Sequence, residues 1–382
     1  MSLLDPVRSG APRGAAKLFA LNWALVVLLC AVAGTGFLML YSVAGGSTEP
    51  WAMPQIVRFG VGILAMIIIA MIDIRFWRAM APVAYVASFL LLVYVEFFGE
   101  VGMGAQRWID LGFIVLQPSE MMKIALVMLL AFYYDWLDPA KVSHPFWVLP
   151  PLLLILAPVA LVLTQPDLGT SIMLLMGGGA LIFLAGVSPW YFATAIAAGV
   201  GLVTVVLQSR GTDWALLREY QFQRIETFLD PSQDPLGAGY HITQAKIAMG
   251  SGGLSGRGFM QGTQSRLNFL PEKHTDFIFT SLAEEFGFMG SIGLLGLYSL
   301  IVVFCLASAI SNRNRFGALL TAGIGVTFFL FFAVNMGMVT GLMPVVGVPL
   351  PLVSYGGSAM LVLLAAFGLA QSAHVHRPRN RD

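Results

Sequence analysis

The chain has 382 residues, of which 58% are hydrophobic and only 11% charged, with a formal net charge of +1. An ordinary soluble domain is about one quarter charged, so this composition excludes a soluble globular enzyme and points to an integral membrane protein. No basic cluster of useful size lies outside the tails, which excludes nucleic acid as a partner. Cys30 and Cys305 both sit in apolar runs and indicate neither a disulfide nor a CxxC centre.

The apolar runs are continuous rather than alternating with period two, which selects helices over a membrane barrel. In chain order, ten stretches are long enough to span a bilayer: 20–41, 56–73, 79–97, 118–136, 146–164, 169–187, 190–208, 278–309, 316–340 and 354–373. The first follows Arg8, Arg13 and Lys17 but is a full span rather than a short signal-peptide core, so it reads as an uncleaved anchor. The predicted fold is an all-α integral membrane protein. It has ten transmembrane helices in one domain over 1–382, and one long extracytoplasmic segment, 209–275, between spans seven and eight. With the N-terminus inside, eleven Lys and Arg fall on the cytoplasmic side and two, Arg58 and Arg107, on the short outer loops and their edges. That asymmetry sets both termini in the cytoplasm, and a long loop crosses regardless of its own charge.

The long segment is not a linker. Residues 240–249 (YHITQAKIAM) predict a short amphipathic helix at the membrane surface. The glycines between 250 and 262 mark either a mobile connection or a close backbone approach.

Four polar stretches interrupt the apolar pattern, and intramembrane charge is costly enough to need a reason. In GAQRWIDLGFIVLQPSEMMKIA (104–125), Pro118 suits a first helical position with Glu120 in the first turn. Glu120 and Lys123 are spaced i, i+3 and share a face. They are either a structural pair or a site in which Lys123 faces an outward cavity and holds an anion. In TQPDLGT (164–170), Asp167 suits the cap of the next helix. PEKHTDFIFTSLAEE (271–285) brings His274, Asp276, Glu284 and Glu285 to the head of span eight. Thr275 and Asp276 either cap that helix or belong to a polar wall of three carboxylates, where partial desolvation makes a stronger base. In GLMPVVGVPLPLVSYGGSAM (341–360), Pro344, Pro349 and Pro351 forbid a regular helix. Irregular backbone at this depth must be buried in protein or line a cavity, here with Ser354, Tyr355 and Ser358. His241 and His274 are too isolated for a metal site, and no HExxH, Walker A, GxSxG or GxGxxG motif occurs in a usable context.

These stretches, with GTQSRLNFLPEKHTDFIFTSLAEEFG and NMGMVTGLMPVVGVPLPLVSYGGS, closely resemble the SEDS family of bacterial cell-wall proteins over about 20–373. The segment GYHITQAKIAMGSGGLSGRGFMQGTQSRLNFLPEKHTDFIF looks more like the elongation branch, RodA, than the division branch, FtsW. One departure is Ala359 after Ser358, where the family often has a second serine.

The resemblance implies a peptidoglycan glycosyltransferase that polymerises lipid II on the outer face of the cytoplasmic (inner) membrane, within the elongation machinery. It also implies a class B penicillin-binding protein as partner. Asp276 matches the family's catalytic aspartate. An α-linked donor and a β-1,4 product mean inversion, hence one displacement with one base. The leaving pyrophosphate needs cations, and Arg107, Lys123, Arg210, Arg218, Arg224 and Lys273, or a divalent metal such as Mg or Mn, are the candidates. Trp108, Glu120, Asp167, Thr275, Ser354 and Ser358 complete the expected substrate-binding set.

Small residues in spans eight and nine, among them Gly287, Gly290, Gly293, Gly296, Gly323 and Gly325, suggest the partner's docking face. A lipid II flippase or a non-catalytic scaffold are the alternatives. A flippase predicts polar residues over the full membrane depth, whereas these gather toward one side. A scaffold leaves Asp276, Glu120 and Lys123 unexplained.

Overall fold

The computed structural model describes Gly14, 16–102, 105–110, 112, 115–212, 222, 238–266 and 272–377. Its helices are α1 Ala16–Phe19, α2 Trp23–Val43, α3 Ala52–Met71, α4 Ile74–Phe98, α5 Pro118–Trp136, α6 Pro145–Thr164 and α7 Leu168–Leu184. They continue as α8 Pro189–Gln208, α9 Ala238–Ser251, α10 Thr263–Arg266, α11 Ile278–Ile310, α12 Arg315–Thr340 and α13 Gly357–Val375.

Local chemistry sets many of the starts. The side chains of Asn22, Asp73 and Asn314 accept hydrogen bonds from the first free N–H groups of α2, α4 and α12. Proline opens α5, α6 and α8, where its missing N–H costs nothing. Among the described residues, eight helices are long and apolar enough to cross a membrane. Helices α5 and α7, of 19 and 17 residues, occupy the two remaining stretches read as spans. The last helix begins at Gly357 rather than at 354, because Ser354 and Tyr355 are held by hydrogen bonds to residues 275 and 274.

The all-α expectation needs one correction. Residues 100–116 hold a three-stranded antiparallel sheet: β1 Glu100–Gly102, β2 Ala105–Asp110 and β3 Val115–Leu116. Glu100 pairs with Trp108, and Ile109 with Leu116. This connection between α4 and α5 is too short to fold on its own, so its backbone groups are satisfied by pairing with one another.

Helices α12 and α13 are the centre of the bundle, while α8 has no buried residue. Alpha-carbon-sized positions let the central helices close up. A methyl at Gly323 would lie 2.6 Å from Val127 and 2.8 Å from Leu181, and one at Gly325 would lie 2.7 Å from Cys305. These two glycines therefore pack α12 against its own neighbours and are not a free docking face, which corrects that part of the sequence reading. On α11, by contrast, Gly293 and Gly296 are exposed.

Helix α11 is broken inside. Gly287 has φ 64° and ψ −157°, a conformation closed to L side chains, and an added Cβ would lie 2.3 Å from the amide of Gly256. The break frees main-chain groups, and residues 253–258 bond to them. Arg257 and Gly258 donate to the carbonyls of Glu284 and Glu285 (both 3.0 Å), and Phe288 and Met289 donate to those of Gly253 and Leu254 (2.9 and 3.1 Å). Of the two readings of the 250–262 glycines, the close backbone approach is the one observed. Just before them, α9 covers the expected 240–249 helix and buries Ile242, Ala245 and Ala248.

The break makes a direct expectation. Gly287→Ala should lower thermal stability by at least about 2 kcal/mol, since it combines strain with a backbone clash. Gly293→Ala, with nothing within 4 Å of the new methyl, should be nearly neutral. Melting temperatures of the two purified variants compare them.

Candidate active site

Asp276 lies in the turn 272–277 that leads into α11, and its surroundings are built from main chain. Three consecutive carbonyls of this turn are held from the proline-rich segment and α12. The Tyr355 amide donates to the His274 carbonyl (2.8 Å), and Ser354 Oγ to the Thr275 carbonyl (2.5 Å). Asn335 Nδ2 donates both to the Asp276 carbonyl (2.9 Å) and to the Val348 carbonyl (2.7 Å). Ser354 Oγ also accepts from the Leu350 amide at 2.7 Å. The backbone at Asp276 is thus fixed while its carboxylate is left free to act.

That carboxylate faces Gly347, where a methyl would sit 3.5 Å from Oδ2. Burial first, and the nearby Glu272 second, push its pKa up to about 6. The neighbouring Lys273 and His274 are both shifted down, chiefly by burial. The His274 ring stacks on Trp51 with centroids 4.5 Å apart. Thr275 and Asp276 do not cap α11, as one sequence reading had it. Phe277 occupies the cap position, and Thr275 Oγ1 instead donates to Glu272 (2.8 Å).

Glu284 and Glu285 are 0% and 2% exposed and do not form a polar wall with Asp276. Glu284 accepts from the amides of Thr263 (2.8 Å) and Gln264 (3.1 Å), and Glu285 accepts from the Met260 amide (3.1 Å) and from Ser42. They clamp the segment before the Asp276 turn, which is a positional role.

A second polar group lies at the heads of α5 and α7. Lys123 Nζ pairs with Glu120 at 2.7 Å, and both residues are buried, 5% and 6% exposed. The ammonium also sits 3.9 Å from the centroid of the Phe331 ring. Asp167 caps α7 through the Thr170 amide (3.0 Å), as expected, and accepts from Gln117 Nε2 (3.3 Å). Arg107, on β2, donates to the carbonyls of Gln165 (2.9 Å) and Pro166 (2.6 Å) and lies 3.8 Å from Asp167. Ser358 Oγ accepts from the Gln117 amide at 3.4 Å.

The two groups meet through residues 346–348. Gly169, at the head of α7, abuts Val346, and Gly347 abuts Asp276. Trp108 is partly buried on β2. Arg210 lies beyond α8, its guanidinium 5.5 Å from the Phe222 ring. Arg218 and Arg224 lie outside the described residues. Pro349, Leu350, Pro351, Leu352 and Ser354 line one side of a small, mainly apolar cavity of about 30 Å³, with Phe331, Met360 and Leu363 on the other. The proline-rich segment thus lines a cavity, as expected, with Ser354 but without Tyr355 or Ser358 in its wall. Among the described residues no group of three or more His, Cys, Asp and Glu is placed to hold a metal ion.

Sequence reasoning missed Asn335 and Gln55. Both are 0% exposed polar residues within apolar helices, and that intramembrane polarity was the available signal. Gln55 Nε2 donates to the Ser354 carbonyl (2.8 Å), bracing the same segment from α3. Glu272 was also missed, since its effect on Asp276 acts through space.

Comparison with known proteins bears on what this arrangement is. Residues 17–379 match the family model of the FtsW, RodA and SpoVE cell cycle proteins. The chain is 43% identical over 355 residues to the peptidoglycan glycosyltransferase MrdB of Escherichia coli K12, covering 92% of this chain and 93% of that one. It is 36% identical over 364 residues to the probable peptidoglycan glycosyltransferase FtsW of Trichlorobacter lovleyi, covering 90% and 91%. Among solved structures, a chain of a peptidoglycan synthase complex that coordinates polymerization and crosslinking aligns with TM-score 0.79 at 33% identity, covering 94% of this chain and 99% of that one. The rod shape determining protein RodA of Thermus thermophilus aligns with TM-score 0.70 at 29% identity, covering 94% and 98%. With its whole membrane core matched, the chain belongs to the FtsW/RodA/SpoVE family, the SEDS proteins.

Proposed function

We propose that this protein is a peptidoglycan glycosyltransferase of the elongation type, polymerising lipid II with Asp276 as general base. The observation that carries the base assignment is the Asp276 turn itself. Its backbone is immobilised by three hydrogen bonds, and its carboxyl pKa is raised to about 6, close to the ideal for a base working near neutrality. In the reaction the acceptor's 4-hydroxyl oxygen attacks C1 of the donor sugar from the face opposite the pyrophosphate. The C1–O bond breaks, its electron pair leaves with the lipid pyrophosphate, and Asp276 takes the hydroxyl proton. One displacement inverts α to β, with no covalent intermediate. Lys273 stands three residues before the base, and Arg107 and Lys123 lie on β2 and near the head of α5. These cations offset charge as it grows on the leaving group, and Trp108, Glu120, Asp167, Thr275, Ser354 and Ser358 shape the surrounding site.

The membrane frame follows the charge asymmetry of the sequence. Ten spans cross the inner membrane, both termini are cytoplasmic, and 209–275 and the Asp276 turn are outside. A class B penicillin-binding protein is the partner, supported by the relative found in a synthase complex that couples polymerization to crosslinking. With Gly323 and Gly325 packed internally, the exposed face of α11 around Gly293 and Gly296 is its docking surface.

Asp276→Asn should cut lipid II polymerisation by roughly 10²-fold or more while the protein stays folded. Its melting temperature should not fall at neutral pH. The carboxyl's raised pKa means that its ionised form opposes folding above pH 6, and the amide removes that cost. In the wild type, polymerisation should decline as pH drops through about 6, where the base becomes protonated. Glu272→Gln, which removes a repelling charge, should move that acid limb to lower pH. An unmoved limb would reject Asp276 as the titrating base. Exchanging the charges of Glu120 and Lys123 keeps an ion pair, so the exchange should preserve the fold without restoring turnover; full activity would show a structural pair only.

Orientation is tested by cysteine labelling. A cysteine at Gln261, an exposed position, should react with an impermeant thiol reagent in cells with a permeabilised outer envelope, and one at the exposed Arg313 should not; the reverse pattern would invert the topology. For the partner, Gly293→Leu or Gly296→Leu should reduce co-purification of the penicillin-binding protein without lowering the yield of this chain. Unchanged recovery would move the interface off α11.

A further inference from the structure

One face of α3 is turned to the segment that holds the base. Trp51, Gln55 and Arg58 recur at i, i+4 and i+7, one above another on the helix, over a rise of about 10 Å. Trp51 stacks on His274, and Gln55 bonds the Ser354 carbonyl and accepts from the Gly356 amide at 3.4 Å. Arg58 comes next, its guanidinium 5.0 Å from the centroid of the Tyr355 ring. Tyr355 is the residue whose amide holds His274, two positions before the base.

Gln55 has hydrogen-bond partners in the protein, whereas among the described residues Arg58 has a ring contact but no hydrogen-bond or ion-pair partner. Its Nη1 is buried with no acceptor, and it enters none of the ion pairs among the described residues. Leaving a buried charged donor unbonded in an apolar setting is costly. The comparison with the other cations sharpens the point. Arg107 is directed at carbonyls and Asp167, and Lys123 at Glu120. Arg58 is partly buried, held in place by an aromatic face, and keeps donors to offer. A guanidinium presents a planar fork of N–H groups that matches the oxygens of a phosphate.

We infer that Arg58 is an anion-binding residue that takes a phosphate oxygen of the lipid-linked substrate, with Tyr355 fixing the guanidinium. Arg58 lies within a helix read as a span, so its natural ligand is a phosphate carried on a lipid. This rests on the polymerase reading, in which the substrate carries a pyrophosphate between its sugar and its isoprenoid tail. Arg58 then holds the lipid phosphate beside the segment that orients the base.

The test uses the full-length protein in nanodiscs with undecaprenyl pyrophosphate as the binding probe, so that affinity is read without turnover. Arg58→Gln should weaken binding roughly 10-fold, the scale of one charge-assisted hydrogen bond. The KM for lipid II should rise by a similar factor, with kcat and melting temperature little changed. Arg58→Lys, which keeps charge but loses the fork, should fall between the two. Equal affinity in wild type and Arg58→Gln would overturn the inference. So would a melting temperature lowered as much by Arg58→Lys as by Arg58→Gln, which marks a packing role. A third arm compares nanodiscs of phosphatidylglycerol and phosphatidylcholine. If Arg58→Gln loses only phosphatidylglycerol retention, with probe affinity intact, the ligand is a bulk lipid and the substrate assignment is wrong. If the wild type binds the probe through Arg58 yet makes no glycan, the polymerase reading fails and the anion site stands.

Discussion

Backbone amides and carbonyls inside a bilayer must find partners within the protein, because no water is there to replace them. This chain breaks its helices in two places near Asp276, and both breaks are answered by hydrogen bonds from sequence-distant segments. At Gly287 the groups freed in α11 are taken up by residues 253–258. Between α12 and α13 the non-helical residues 341–356 bond to Asn335, Gln55 and the carbonyls of 274 and 275. The turn that carries Asp276 follows the first of these segments and is held by the second.

That arrangement separates two kinds of carboxylate. Glu284 and Glu285 are buried, but Glu284 accepts at Oε1, and Glu285 at both oxygens, from amide and hydroxyl donors of distant residues, so they hold a loop in place. Asp276 is partly buried, with the protein's hydrogen bonds directed at its carbonyl rather than its carboxylate. Desolvation without compensating donors raises its affinity for a proton. The same fold thus supplies donors to one pair of carboxylates and leaves another carboxylate without them.

The cations divide in a parallel way. Lys123 and Arg107 are immobilised by Glu120, by main-chain carbonyls and by Asp167, giving a fixed field of low mobility. The mostly apolar cavity beside Ser354 and Phe331 keeps the surroundings of that field low in polarity.

Much of this was legible in the residues. Continuous apolar runs show where helices lie because burial of side chains in lipid is a local property, and all ten long helices fall where those runs are. Pro118, Asp167 and the prolines of 341–360 act through their own backbone, so their helix start, cap and helix break were readable directly. The i, i+3 spacing likewise foretold the Glu120–Lys123 pair. What pairing decides was not readable. The small sheet at 100–116, the inward packing of Gly323 and Gly325, and the clamp made by Glu284 and Glu285 each depend on a partner distant in sequence. Asn335, Gln55 and Arg58 are single polar residues in apolar helices, marked by composition as unusual but given a target only when α3 and α12 are brought against residues 274–276 and 348–356. The sequence by itself determined the class of protein, its helices and the identity of its acids and bases. The tertiary structure alone decided which of those charges are neutralised by the protein and which remain available to a ligand, because that depends on the donors and acceptors that packing brings within about 3 Å.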